Sequence, residues 1–307
     1  MVDHVYDCIV VGAGPGGLQA AIYLARYNRD VLVLDRSGGR TWHARHIENV
    51  LTHRDISGAE IIERGMEQAR SFGVHIVQTR VTSIKKEELF TVSATEGEFL
   101  SRQVIAASGV TDIIPAIENV LPFLGAGYFT CIDCDGYKTT NKKLVVMGDR
   151  LESVSIALAM GRMYTRDITY LPYRYELPET ARSVLEEAGI RSVAAEPNRI
   201  IGTDAIEALE LTNGERIDCE AIMASFGVIL NDEYLAGLSL KKDAERFKYV
   251  VSRTFESSTA GLYIVGPLNT GQDQVVIAAG EGAVAAMDIN KKLLDRDNEA
   301  AVMTGAA

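Results

Sequence analysis

The stretch YDCIVVGAGPGGLQAAIYLARYNRDVLVLD, residues 6–35, decides the fold. Its opening run to Val11 is mostly apolar, as expected of a parallel strand covered on both faces. GAGPGG follows. LQAAIYLARYN then places small and apolar residues on one face of a helix, and VLVLD is a second strand that ends in Asp35. Strand, glycine loop, helix and strand arrive in the order of a dinucleotide-binding unit. Gly12 allows the tight turn, Gly14 lets a pyrophosphate reach the backbone, and Gly17 lets the helix pack close to the sheet. Asp35 comes about 20 residues on, placed to accept from a ribose hydroxyl. Its charge would repel a 2′-phosphate, so FAD and NAD fit this unit and NADP does not.

The chain has 307 residues, 47% hydrophobic and 24% charged, a length that suits two domains with cores of their own. A net charge of −11 argues against a nucleic-acid or anionic-membrane partner. The first residues read directly as a strand, with no basic and apolar leader. No apolar run reaches the roughly 18 residues of a membrane-spanning helix. A cytoplasmic protein is expected. Four cysteines, Cys8, Cys131, Cys134 and Cys219, are too few for a disulfide scaffold.

Further along, residues 57–73 read as an amphipathic helix with Ser at its start and Gly at its end. Residues 74–108 read as a short β-meander returning to a buried strand. A Pro-containing connection, residues 109–127, marks a boundary near Pro115. The pattern then repeats: KLVVMGD is a strand, LESVSIALAMGRMY a helix and DITYLPY a strand. A hairpin turns at Asn213-Gly214 and leads to another strand. This internal duplication predicts a second nucleotide-domain-like unit. The fold class is α/β, with two Rossmann-like domains. After residue 246 come a strand and a small-residue helix. Residues 298–307 carry little core signal and are expected to be disordered.

Cys131-Ile132-Asp133-Cys134 is a C-x-x-C pair. Zinc would need two more ligands at suitable spacing, and neither Cys8 nor Cys219 has a close Cys or His companion. A metal site is not expected. A reversible disulfide is the better reading, with Asp135 placed to give or take a proton.

C-x-x-C-D-G between a glycine-loop domain and a second strand–loop–helix unit resembles the low-molecular-weight thioredoxin reductases, over nearly the whole chain. HIENVLTHRDISGAEI (46–61) resembles that family's segment beside the flavin, and IAASGV (105–110) its A-T-G turn. GLYIVGPLNTGQDQVVIAAGEGAVAAM (261–287) resembles its C-terminal flavin motif. The resemblance implies FAD held by Gly12, Gly14, Pro15, Gly16, Gly17, Asp35, Arg36, Asn49, Val81, Gly109, Gly266, Gln274 and Val275. It implies an FAD domain of residues 1–116 and 246–307, with a cysteine domain of residues 117–245 inserted between. Cys134 would face the flavin, Cys131 would attack a substrate disulfide, and Asp135 would be the general acid. A homodimer and a thioredoxin-like protein or small dithiol/disulfide partner are also implied.

Three departures matter. Where the family has a second glycine fingerprint, this chain reads Gly148-Asp149-Arg150-Leu151-Glu152-Ser153. Arg150 would block a pyrophosphate, or contact a phosphate itself. The family's basic cluster for NADPH is reduced to Arg174, between Tyr173 and Tyr175. With Tyr164 and Tyr170, these aromatics either pack or form a platform for another planar group. The family's C-terminal Gly-Asp is Gly266-Pro267. The resemblance is therefore to an NADPH-independent branch, in which Gly148, Arg150, Tyr173 and Arg174 would line a second nucleotide site, with a second FAD as candidate. The alternatives are an NADPH-dependent thioredoxin reductase with an atypical site, and a dithiol oxidase using oxygen. In RTWHARH (40–46), Trp42, His43 and His46 form a packed loop under the cofactor, or a histidine there tunes the flavin.

Overall fold

The computed structural model describes residues 4–245 and 247–304. The chain forms two units. One takes residues up to Ala44, Val50–Thr111 and Ile229 onward, and the other takes Arg45–Asn49 and Asp112–Val228.

The first unit opens with β1 (Val5–Val11), α1 (Pro15–Arg26), β2 (Val31–Asp35), α2 (Gly58–Ser71) and β3 (His75–Gln78). It continues with β4 (Val81–Lys86), β5 (Phe90–Ala94), β6 (Gly97–Ala106) and β7 (Val110–Asp112). The second contains β8 (Tyr128–Phe129), α3 (Ile132–Asp135), β9 (Leu144–Gly148), α4 (Glu152–Met163), β10 (Ile168–Pro172) and α5 (Glu179–Glu187). It ends with β11 (Arg191–Ser192), β12 (Pro197–Gly202), β13 (Ile206–Leu211), β14 (Arg216–Asp218) and β15 (Ala221–Ser225). The chain then forms β16 (Val228–Leu230), which pairs with β7, followed by β17 (Leu262–Ile264) and α6 (Val275–Thr304).

In the first unit the order is β3-β2-β1-β6-β5-β4, with β17 also on β6. β1, β2, β3, β6 and β17 are parallel neighbours, while β4 and β5 extend antiparallel from the first half of β6. The meander expected from residue 74 thus begins only at β4. His75–Gln78 pairs in parallel with β2 instead, because α2 carries the chain back to the same edge. Along β1 the side chains alternate between faces. Cys8 and Val10 join the core under α1 and α6, and Ile9 and Val11 join the core on the other face.

Helix α2 is capped as its sequence suggests: the Ser57 hydroxyl accepts from Glu60 N at 3.2 Å. Helix α6 crosses α1 at backbone contact, since a Cβ on Gly282 would lie 2.1 Å from the Gly16 carbonyl oxygen. This explains the small-residue run AAGEGAVAA. Residues 298–304, expected to be disordered, continue α6. The last three residues of that expectation, 305–307, lie outside the described residues.

The second unit repeats the plan. Its parallel sheet runs β11-β10-β9-β15-β8, matching β3-β2-β1-β6-β17 position for position. β12-β13-β14 forms a separate antiparallel sheet, turning at Asn213-Gly214 with Gly214 at φ +84°. The duplication read from the sequence is therefore present as a repeated strand order.

Candidate active site

The first unit gathers its glycine loop at the carboxyl ends of β1, β2, β6 and β17, where open parallel sheets bind ligands. Gly12 has φ +107°, and a Cβ there would stand 2.5 Å from the Ala107 carbonyl oxygen. A Cβ on Gly17 would stand 2.0 Å from the Gly12 oxygen, and one on Gly16 would stand 3.0 Å from the Ala278 oxygen. Gly14 differs: its nearest protein atom would be 3.9 Å away. Gly14 is also the N-cap of α1, with no side-chain cap, Pro15 in the first turn and no acid there. The first-turn N–H groups and the positive end of the helix dipole are thus left to an anion.

Asp35 accepts from Ala13 N at 2.8 Å through one oxygen and from Ser37 N at 2.8 Å through the other. A carboxylate has lone pairs for further partners, so Asp35 both ties the loop and can accept from a ribose. Arg36 is exposed beside it. Val81 opens β4, and Thr79 N bonds the Asp35 carbonyl oxygen at 2.8 Å. Gly109 (φ +67°) lies 3.9 Å, by its would-be Cβ, from Pro267, whose neighbour Gly266 has φ +73°. Gln274 and Val275 open α6, with Ala278 N bonding the Gln274 carbonyl oxygen at 2.9 Å. Asn49 is exposed and falls with the second unit. Trp42, His43 and His46 are exposed as well. His43 Nε2 meets the Gly38 carbonyl oxygen at 3.1 Å, and Gly58 N bonds the Ala44 oxygen at 2.8 Å. The donor set, the open face at Gly14 and the acceptor at Asp35 fit FAD.

The sequence reading missed one buried network here. Glu281 accepts from Gly266 N at 2.5 Å and from Asn269 Nδ2 at 2.8 Å, while Asn269 Oδ1 accepts from Gly271 N at 2.6 Å. Burial raises the Glu281 pKa in spite of these donors. Pro267 removes the carboxylate expected next to Gly266, and Glu281 is what orders this turn from below.

In the second unit Cys131 and Cys134 form a disulfide with Cα atoms 5.3 Å apart. Cys131 is the N-cap of the short turn α3, and its sulfur accepts from Cys134 N at 3.1 Å. That donor favours a thiolate at Cys131 once the bond is reduced. Asp135 follows, with its Oδ1 3.0 Å from Lys138 Nζ. Glu48 Oε2 lies 2.9 Å from the same ammonium, and the Tyr137 hydroxyl donates to Glu48. Bonds from Tyr137 and Lys138 lower the Glu48 pKa. Cys8 and Cys219 are buried and free of any bridge; burial pushes the Cys219 thiol up to about 12. Neither is set up to react. Among the described residues no group of three His, Cys, Asp or Glu is placed to hold a metal.

The turn after β9 carries side chains at both later glycine positions, Arg150 exposed and Ser153 buried. The Arg150 guanidinium bonds both Asp149 oxygens, at 2.9 and 3.2 Å, and reaches the Phe226 carbonyl oxygen at 3.4 Å. Ser153, standing where the third glycine would be, is fully buried. Its hydroxyl donates to the Arg150 carbonyl oxygen at 2.6 Å and meets the Tyr170 hydroxyl at 2.7 Å, and Tyr170 in turn bonds Tyr175. Arg174 has φ +56°, lies over the Tyr173 ring and pairs with Glu196 at 3.3 Å. Tyr173 packs edge-on against Phe226. A cavity of about 360 Å³ lies beyond β10, lined by Pro172, Arg174, Tyr175, Leu177, Arg182 and Glu196 among others.

Two chemistries thus share one chain, a two-electron thiol couple and a cradle for a dinucleotide, and together they define a flavin-dependent disulfide oxidoreductase. Residues 6–282 match the family described as pyridine nucleotide-disulphide oxidoreductase, and the chain belongs to that family. It is similar to the thioredoxin reductase of Treponema pallidum (strain Nichols), 28% identical over 298 residues, covering 92% of this chain and 95% of the relative. It is also similar to the thioredoxin reductase of Mycolicibacterium smegmatis, 27% identical over 308 residues, covering 95% of this chain and 98% of that protein. Among solved structures it is similar to HlmI, with a TM-score of 0.91 and 25% identity over 99% of this chain and 97% of that one. No helix among the described residues is long and apolar enough to cross a membrane.

Proposed function

We propose that this enzyme passes electron pairs between FAD in the first unit and the Cys131–Cys134 pair, and then to or from a thioredoxin-like protein or small dithiol/disulfide, without NADPH. FAD, when bound, supplies the two-electron carrier. The disulfide takes up two electrons and two protons to become a dithiol, and Asp135 is the group beside it for one of those protons. Cys131, as thiolate, attacks the partner disulfide, and Cys134 resolves the mixed disulfide, leaving the partner as a dithiol.

The observation that carries the NADPH-independent reading is the filled turn at 148–153. Arg150 is folded across it onto Asp149 and Phe226, and the Ser153 side chain takes the room that a third glycine would leave. The same contacts act against any pyrophosphate, including that of a second FAD. The reading is therefore one FAD per chain, bound by the first unit, with the second unit carrying the dithiol. Anaerobic mixing of the flavin-loaded protein with stoichiometric NADPH should leave the flavin absorbance intact, while a dithiol bleaches it. Rapid bleaching by NADPH refutes the reading, and extraction of two FAD per chain refutes the stoichiometry.

A homodimer is part of the same proposal. Val276, Val284, Met287 and Leu294 are exposed and share one face of α6, an apolar stripe suited to a second copy. Met287→Asp should shift the sedimentation of a dimer to that of a monomer.

A further inference from the structure

The turn that carries the disulfide also carries a charged cluster of which only Asp135 has a part in the steps above. Lys138 Nζ bridges two carboxylates, Asp135 at 3.0 Å and Glu48 at 2.9 Å, with 20% of the lysine side chain exposed. Asp135 and Lys138 belong to one turn, whereas Glu48 comes from the 45–49 segment and is itself held by the Tyr137 hydroxyl.

We propose that Lys138 is a positioning residue for the thiol–disulfide chemistry, acting through Asp135 and anchored from behind by Glu48. The proposal rests on the reading of Cys131–Cys134 as the exchanging pair. An isolated exposed ion pair would not fix a carboxylate, because its Coulomb gain barely exceeds the entropy of holding two long side chains. Here the ammonium is held at both ends, and the lysine stem is thereby ordered before it meets Asp135. Burial works against its charge, but the bonds to Glu48 and Asp135 outweigh burial and raise its pKa, so it stays a cation. The groups facing Asp135 are Lys138 and Tyr137, with Glu48 beyond the lysine and His46 beyond Glu48. Lys138 is therefore the cation of this group that touches Asp135. Without it, Asp135 would place uncompensated negative charge next to Cys134, and negative charge disfavours a thiolate.

The test is the pH dependence of alkylation of the reduced pair. The flavin-loaded full chain is reduced with dithiothreitol, desalted without oxygen and treated with iodoacetamide between pH 5 and 9. Modification of Cys131 and Cys134 is followed by mass spectrometry. In Lys138→Met and Lys138→Gln the midpoint should rise by about one pH unit, the effect of removing one nearby opposite charge. Lys138→Arg should restore it. In an Asp135→Asn background, Lys138→Met should have no further effect on the midpoint. An unchanged midpoint in both neutral variants overturns the proposal. So does a rise that is equal with Asp135 intact and in the Asp135→Asn background, since the lysine would then act on the thiols directly. If the underlying reading is wrong, the wild type itself shows it: the reduced pair neither bleaches the flavin nor is reoxidised by a disulfide, whatever stands at 138.

Discussion

Alanine at Gly14 and alanine at Gly17 should fail in different ways. A methyl group on residue 17 would stand 2.0 Å from the Gly12 carbonyl oxygen, with Val10 Cγ1 at 3.1 Å and Ala107 Cβ at 3.2 Å behind it. The obstacle is backbone, so α1 must lift by about 1 Å to reach the shortest tolerable contact. Overpacking of this kind costs about 1–3 kcal/mol, here at the upper end, and the better helix propensity of alanine returns at most about 1 kcal/mol. A net loss of about 2 kcal/mol lowers the melting temperature of a protein this size by about 3 °C. At residue 14 the new methyl meets only the Ala107 oxygen at 3.9 Å, and the backbone, at φ −75°, is open to any residue. The poorer N-cap costs up to about 1 kcal/mol and the stiffer unfolded chain returns about 0.4–1 kcal/mol. Flavin-free Gly14→Ala should therefore melt within about 2 °C of wild type. Its FAD affinity should fall at least about tenfold, about 1.4 kcal/mol, because the methyl occupies the face left to the pyrophosphate. The assay is calorimetry on flavin-stripped protein, followed by fluorescence titration with FAD. Wild-type FAD affinity in Gly14→Ala would refute the reasoning, as would an apoprotein destabilised as much as Gly17→Ala.

Cys134→Ser should retain FAD, by the absorbance ratio of purified protein, and lose all disulfide turnover; full turnover would reject the site. Glu281→Gln tests the buried carboxylate. Because the folded protein raises its pKa, wild type loses stability as pH climbs from the ordinary carboxylate value through the raised one. The variant lacks that loss, so its melting temperature should gain on wild type across this window, and parallel curves would refute the assignment. Tyr263→Phe removes bonds to Asp288 at 2.6 Å and from Lys292 at 2.8 Å and should cost about 1–3 kcal/mol at neutral pH by denaturant unfolding. Burial opposes the Asp288 charge, but Tyr263 and Lys292 outweigh it and lower the pKa, so this contribution is present above the unfolded pKa and fades as pH falls. A cost that does not shrink in acid would count against the network.

Local order was readable wherever neighbours in sequence determine it. The strand–loop–helix units at residues 6–35 and 143–173, the Ser57 cap and the Asn213-Gly214 hairpin all rest on contacts within a few residues or on a period that repeats. What escaped depends on partners far along the chain. His75–Gln78 looks like the first strand of a meander, and only its pairing with Leu32–Asp35 makes it the edge of a parallel sheet. Glu281 sits in a run of alanines and glycines that reads as helix packing, and its role appears only when Gly266 and Asn269 arrive beneath it. Glu48 and Lys138 likewise meet across the fold, and nothing local to either announces the other. The wetter signal of residues 298–304 hid the end of α6, because a long helix continues by its own hydrogen bonds after its core contacts end.

The two glycine loops carry the argument about nucleotide use further than the count of glycines does. In the first unit, Gly12 and Gly17 are demanded by the protein itself, since any Cβ would strike backbone. Gly14 is not, and a glycine without an internal reason points outward to a ligand. In the second unit, Gly148 is again demanded from within: a Cβ there would lie 2.4 Å from Ser153 Cβ and 2.7 Å from the Ser225 carbonyl oxygen. No glycine remains in that turn whose absence of a side chain is left for something outside the protein. Arg150 is tied to Asp149 and Ser153 to Tyr170, so replacing either alone leaves the other in the way. The turn keeps the path of a nucleotide loop because strand, helix and Ser153 require it, and on the NADPH-independent reading proposed above the chemistry of the unit rests with the disulfide before it.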